Sequence, residues 1–257
     1  MTSQRTGAWA LASFTIAVVA VTMLVPRIHQ PLSYHNFADQ RGWLGIPNFG
    51  NVVSNLLFAI AGVWGLLFLC RQHGREIFVD PRERLAYLLV FLGLLLTALG
   101  SSYYHLAADN SRLVWDRLPM TIAFMALASA MIAERISVPA GSYMLPILIL
   151  IGMGSVVWWW HTEQICAGDL RFYAAVQVYA VLVLPLMLLL PPRYSRSSDF
   201  VVIFGLYITA KILETLDRQI FAFDRHTISG HTLKHLAAGA AGFWILRMLQ
   251  KRRPLQS

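Results

Sequence analysis

Six uncharged stretches of 16 to 25 residues recur along this chain, at Ala8–Val25, Asn51–Cys70, Leu85–Tyr104, Leu118–Ala133, Ile136–Trp160 and Phe172–Pro192. A helix rises 1.5 Å per residue, so about 20 apolar residues cross the ~30 Å hydrocarbon core of a bilayer. Two shorter runs, Phe200–Ala210 and Leu236–Leu246, end in charged or histidine residues through which a helix can continue. Eight transmembrane helices are therefore expected. The runs are too long for barrel strands and lack their alternation. Inside a bilayer every backbone polar group must be satisfied within the segment, so the expected fold is an all-α polytopic membrane helix bundle. Only 13% of the 257 residues are charged, about half the usual 25% of a soluble domain. That excludes a soluble enzyme and a disordered chain. The connections leave no room for a separate soluble domain.

The formal net charge of +8 would by itself suit a nucleic-acid partner. Its distribution does not. With the N-terminus inside, the inner segments carry Arg5, Arg71, Arg75, Arg82, Arg84, Arg135, Arg193, Arg196, Arg247, Lys251, Arg252 and Arg253. These twelve face seven in the outer connections: Arg27, Arg41, Arg112, Arg117, Arg171, Arg218 and Arg225. Such a bias sets topology, so both termini are expected in the cytoplasm and no nucleic-acid partner is expected. The basic tail Lys251-Arg252-Arg253 reads as a topology anchor that can also meet anionic lipid. Short loops on a compact bundle fit a bacterial inner membrane. Arg5 before an apolar run also fits a signal peptide, but Met23-Leu24-Val25-Pro26 is a poor cleavage site, and an uncleaved helix is expected. Cys70 and Cys166 fall on opposite membrane sides, too far apart to pair. The Trp158-Trp159-Trp160 run reads as an interfacial aromatic belt.

By this topology, four non-consecutive helix ends bring polar groups to the outer side. The third helix ends Gly100-Ser101-Ser102-Tyr103-Tyr104-His105, and the fourth opens Trp115-Asp116-Arg117-Leu118-Pro119. Lys211, Glu214 and Asp217 end the seventh; His231-Thr232-Leu233-Lys234-His235 opens the eighth. His231 and His235, four residues apart, share one helix face. That spacing lets both imidazoles ligate one metal. Catalytic zinc takes three protein ligands and keeps one position open. His105 is the natural third ligand, because His73 is cytoplasmic and His29, His35, His161 and His226 lie in outer loops. Ser101 precedes His105 by four residues and faces the same way. Asp116 near the interface should also face the bundle interior, since a lipid-facing charge is costly. The plainer readings are a small residue easing helix packing at Ser101 and a helix-start acid at Asp116. Lys211, Glu214 and Arg218 read as a structural network. Asp217 is a candidate partner orienting a metal-bound histidine, and Lys234 is expected to snorkel to the surface.

These residues together resemble the alkaline ceramidase family, within the wider seven-helix membrane hydrolases that include progestin/adipoQ-type receptors and haemolysin-III-like proteins. The carrying elements are Asn51-Val-Val-Ser54-Asn55-Leu, Gly100-Ser101-x3-His105, Asp116-Arg-Leu-Pro119-Met and His231-x3-His235. The likeness covers roughly residues 35–250. It implies a seven-helix hydrolase core at 31–250, an additional N-terminal helix at 1–30 and a basic cytoplasmic tail at 251–257. It further implies a zinc ion on His105, His231 and His235, with Ser101 and Asp116 beside it. The implied reaction is hydrolysis of the amide of ceramide or a related N-acyl lipid in the membrane, giving fatty acid and free amine. Ser101 would donate to the oxyanion and Asp116 would relay the proton. Family members also bind calcium through an acid-rich stretch before the second helix. Here that stretch keeps Asp39 as its one acid, with Asn48 as a neutral oxygen donor, against the several carboxylates calcium favours.

Two other classes compete with the amidase. A receptor or sensor on the same scaffold would hold a structural zinc without turnover. A haem protein would use the histidines axially, but His231 and His235 share one helix face instead of facing each other across the bundle.

Overall fold

The computed structural model describes residues 2–71 and 77–255. His73 and Arg75, and the last two residues of the basic tail, lie outside them. The described residues form ten α-helices: α1 (Thr2–Leu24), α2 (Phe49–Val53), α3 (Leu56–Arg71), α4 (Glu83–Leu106), α5 (Asn110–Arg135), α6 (Val138–Gln164), α7 (Arg171–Leu188), α8 (Asp199–Thr215), α9 (Asp217–Phe223) and α10 (Gly230–Lys251). Eight of them have 16 residues or more, and they coincide with the eight apolar runs. The chain is a polytopic helical bundle. Six segments are long and apolar enough to cross a membrane, counting α2 and α3 as one. α8, at 17 residues, is one short of that length, and α10 is made too polar by His231, Lys234, His235 and Arg247.

Side-chain caps set several helix starts. The Asp109 carboxylate accepts the Arg112 amide at 2.7 Å, and the Ser229 hydroxyl accepts the Thr232 amide at 3.1 Å. Ser137 caps α6, with Pro139 in its first turn. Each supplies an acceptor for an amide that lacks an intrahelical partner. The second apolar run does not start as one smooth helix. Asn48 is left-handed (φ 48°), and the Ser54 hydroxyl and Asn55 amide both turn back onto the Asn51 carbonyl, at 3.1 and 2.9 Å. Local side-chain bonds of this kind compete with the helix ladder. Likewise the seventh expected helix does not run through Asp217. It breaks at Leu216, and Asp217 opens α9.

α4 and α5 form the centre, with α3 and α10 on one side and α6 and α7 on the other, while α1 packs chiefly on α7. The closest approach is at Gly100, where a Cβ would overlap the Trp115 carbonyl. That approach sets the α4 residue after Gly100 beside the α5 residue after Trp115, which are Ser101 and Asp116.

The far end of α4, α5 and α10 holds a second polar cluster. Arg252 lies 3.3 Å from Glu134 and donates to the Tyr87 hydroxyl at 3.2 Å. Its guanidinium stacks on Tyr194 with 4.2 Å to the ring centroid. Arg135 lies 3.5 Å from Glu134 and donates to the Leu190 carbonyl at 2.8 Å. The expected basic tail is thus not wholly an exposed anchor. Lys251 and Arg253 are exposed, whereas Arg252 is buried. The strand-like pairing of Tyr194 with Pro254, with Ser195 donating to the Arg253 carbonyl at 2.9 Å, turns it inward.

Candidate metal centre and its cavity

His105 leaves the last turn of α4, and His231 and His235 leave the first two turns of α10. All three are buried, and one ligand nitrogen from each falls within 4.8 Å of the others. The Nε2 atoms of His105 and His231 are 3.3 Å apart. Two nitrogens each ~2.0–2.1 Å from a tetrahedral zinc stand ~3.3 Å from each other. The donor set therefore fits such an ion, and neutral imidazoles suit it chemically. The Nδ1 atom of His235 meets the Ser54 hydroxyl at 2.8 Å and the Asn51 carbonyl at 3.1 Å. Two acceptors there place the proton on Nδ1 and leave Nε2 bare for a ligand role.

Asp217, the expected orienting partner of a histidine ring, hydrogen-bonds to no imidazole among the described residues. Its carboxylate accepts the backbone amides of His231 at 2.7 Å and Ala38 at 2.9 Å. It fixes the start of α10, not an imidazole. Asn51 and Ser54 orient the ring instead. Their signal was a polar run, Asn51-Val-Val-Ser54-Asn55, inside an otherwise apolar span.

The loop before α2 covers the histidines. Phe37 is 5% exposed, with its ring centroid 4.6 Å from His105 and 4.7 Å from His231. Arg218 donates to the Asn36 carbonyl at 3.0 Å, so it does not pair with Glu214. The Asn48 amide donates to the His105 carbonyl at 2.8 Å. Asp39, the acid named for calcium, has both carboxylate oxygens engaged by Arg41 at 2.8 Å. Arg41 in turn donates to the Thr227 carbonyl at 2.8 Å. Burial would raise the Asp39 carboxyl, but the Arg41 hydrogen bonds outweigh it and hold the group below the usual carboxylate range. At this position the Arg41 guanidinium supplies the positive charge that meets the acid.

Beneath the histidines lies a cavity of about 330 Å³, lined by His235, Ser101, Asp116, Arg117, Lys234 and Glu214 at its polar end. Val90, Leu94, Leu127, Leu184 and Ile245 line its apolar depth. Ser101 is 2% exposed, and its hydroxyl faces the Asp116 carboxylate. Asp116 is only half-buried because it opens onto this space. The cluster expected from four helix ends is assembled. Lys234 departs from expectation: it turns inward and pairs with Glu214 at 3.0 Å, and Lys211 pairs with the same carboxylate. A surface outlet was not needed, because Glu214 neutralises the ammonium locally.

The Trp158-Trp159-Trp160 run also needs correcting. Trp158 and Trp160 are exposed, but Trp159 is fully buried. Successive helical residues differ by 100° in direction, so three in a row cannot all face lipid. Trp159 packs instead on the Arg117 guanidinium, 4.2 Å from ring centroid to carbon. Cys70 and Cys166 are not paired with each other, as expected, and both are exposed.

Compared with known proteins, residues 45–247 match the model of one family, described as Ceramidase. No curated protein matches the chain. The matched span runs from before α2 into the last turns of α10 and includes Ser101, His105, Asp116, His231 and His235.

Proposed function

Because the chain belongs to the ceramidase family, we propose that it is a zinc-dependent membrane amidase. It hydrolyses the N-acyl amide of ceramide or a related N-acyl lipid to fatty acid and free amine. The observation that carries this reading is the 3.3 Å spacing of two histidine nitrogens beside a third, next to a cavity with Ser101 and Asp116 on its wall.

His105, His231 and His235 would hold the metal, which when bound would polarise the amide carbonyl and make a water acidic near neutral pH. Ser101 donates a hydrogen bond to the carbonyl oxygen as negative charge develops on it. Asp116, open to the cavity beside Ser101, takes the proton from the attacking water. It then delivers that proton to the amine nitrogen as the C–N bond breaks. Phe37 closes the aqueous side over the histidines and keeps bulk water off the reacting carbonyl. The apolar depth of the cavity takes the acyl chain. By the charge bias, we place both termini in the cytoplasm and the site toward the opposite face.

The test is metal content and amide cleavage measured together, on the wild type and on His231→Ala. Stoichiometric zinc with fatty acid release in the wild type, and loss of both in the variant, supports the amidase. Stoichiometric zinc with no release from any N-acyl lipid makes it a receptor with structural metal. A folded wild type that takes up no metal removes the site assignment.

A further inference from the structure

The polar end of the cavity carries three basic residues, Arg117, Lys211 and Lys234, against two acids, Asp116 and Glu214. Lys211 and Lys234 both pair with Glu214. Arg117 is placed differently. It is 4% exposed, and its Nη2 atom donates at 2.6 Å to Gln30 Oε1, a neutral amide oxygen. Trp159, Tyr173 and Tyr34 surround the guanidinium, with ring centroids 4.2, 4.6 and 5.6 Å from its central carbon. Its Nη1 atom is buried with no hydrogen-bond partner.

The Tyr34 hydroxyl also meets the guanidinium. The aromatic faces favour the charge through their quadrupoles but do not fill the Nη1 donors that lie in its plane. A buried N–H left unfilled is costly, and the group that fills a guanidinium edge best is an oxyanion. The cavity is graded in the same sense. Its apolar lining comes from the middles of α4, α5, α7, α8 and α10, whereas Arg117, Tyr34 and Leu170 lie at the loop-bearing end. An amphiphile seated with its tail in the apolar depth brings its headgroup to Arg117.

We propose that Arg117 is a specificity-determining residue that receives an oxyanion on the amine portion of the substrate. Among N-acyl lipids the site then favours those with a carboxylate or phosphate headgroup over neutral hydroxylated ones. This rests on the amidase reading of the same site. If Arg117 served only to tie α5 to the Gln30 loop, its loss would weaken the protein but treat all headgroups alike.

A matched pair separates these roles. N-acylglycine and N-acylethanolamine of one chain length differ only by a carboxylate in place of a hydroxymethyl group. The readout is the ratio of their kcat/KM values on the zinc-loaded full-length protein, which cancels any change in the folded fraction. The wild type should favour the acylglycine by on the order of 10²-fold, the usual worth of one buried charge-assisted contact. Arg117→Gln should bring the ratio near one, with Arg117→Lys between. N-acylethanolamine phosphate is the phosphate arm, and the anion preferred names the headgroup. A wild-type ratio near one for both anions, or an unchanged ratio in Arg117→Gln, overturns the proposal. The same lipids are compared by the Tm shift they induce in wild type and Arg117→Gln. A headgroup preference there without cleavage keeps the proposal and discards the amidase. Stabilisation by inorganic phosphate alone, with no headgroup preference, reassigns Arg117 to a free anion and overturns it.

Discussion

Gly100→Ala tests whether the approach of α4 to α5 builds the site. A Cβ at this position would stand about 1 Å closer to the Trp115 carbonyl oxygen than real Cβ atoms come to any neighbour. The obstacle is backbone, so no rotamer change relieves it. The two helices must part by about that amount at this level. Overpacking of this kind costs about 1–3 kcal/mol, which lowers Tm visibly in a chain of this size. The sharper effect falls on chemistry. Ser101 rides on α4 and Asp116 on α5, one residue beyond each partner in the contact. A displacement near 1 Å between groups that act on one carbonyl costs about 10²-fold in turnover. Metal uptake should survive, because His105, His231 and His235 do not lie across that contact. The assay is amide cleavage and zinc content in detergent, with Gly205→Ala as control. Gly205 has open space around its Cβ position, so alanine there should be neutral or stabilising by about 0.5–1 kcal/mol. Wild-type turnover and Tm in Gly100→Ala would refute the argument that this contact sets the Ser101–Asp116 geometry.

Asp116→Asn should retain zinc and lose about 10²–10⁴-fold in turnover; full activity in this variant removes Asp116 from the proton relay. Ser54→Ala should weaken zinc affinity about tenfold, the low end for an outer partner, because the Asn51 carbonyl remains 3.1 Å from His235 Nδ1; a metal titration that matches wild type counts against the orienting role. Glu134→Gln leaves Arg135 and Arg252 without their shared carboxylate and should cost about 3–5 kcal/mol, measured by reversible unfolding in mixed micelles, with no change in zinc stoichiometry. Asp39 has a depressed carboxyl in the folded protein, so its contribution to loop stability is present above the unfolded value near 4. That contribution is lost as pH falls through the lower folded value. Hydrogen exchange around 36–41, corrected for intrinsic rate, should rise on acidification and rise already at neutral pH in Asp39→Asn; unchanged exchange in the variant contradicts a stabilising role for the Asp39–Arg41 pair in this loop.

The helices and the histidine triad were legible because both depend on local spacing. A 20-residue apolar run has few alternatives, and His231 and His235 share a face whatever surrounds them. What the sequence hid depends on which groups meet across the bundle. Lys234 looked stranded until Glu214, on another helix, was seen to reach it. Asp217 looked like an imidazole partner, but a helix break at Leu216 aimed it at backbone amides. Trp159 looked interfacial because its neighbours are, and only the packing of α5 on α6 shows Arg117 beneath it. Arg252 sat in a basic tail, where charge suggested solvent. A buried carboxylate on α5 and a pairing of the 193–195 and 253–255 segments drew it inward. In each case the missing information was long-range, and a side chain's local pattern pointed the other way.

The polar clusters at the two ends of α4, α5 and α10 have a mechanical consequence. α4 and α10 meet above in the histidine group and below through Tyr87 and Arg252, while α5 is held above by Asp116 on Ser101 and below by Glu134 on Arg252. A rod clamped at both ends bends far less than one held at a single end. α7 and α8 complete the cavity wall through Tyr173, Gln177, Phe204 and Tyr207, and they share little surface with each other. The compliance of the chamber is therefore concentrated in one seam. Widening it for a long acyl chain means parting α7 from α8, while the frame that aligns the reacting groups stays fixed.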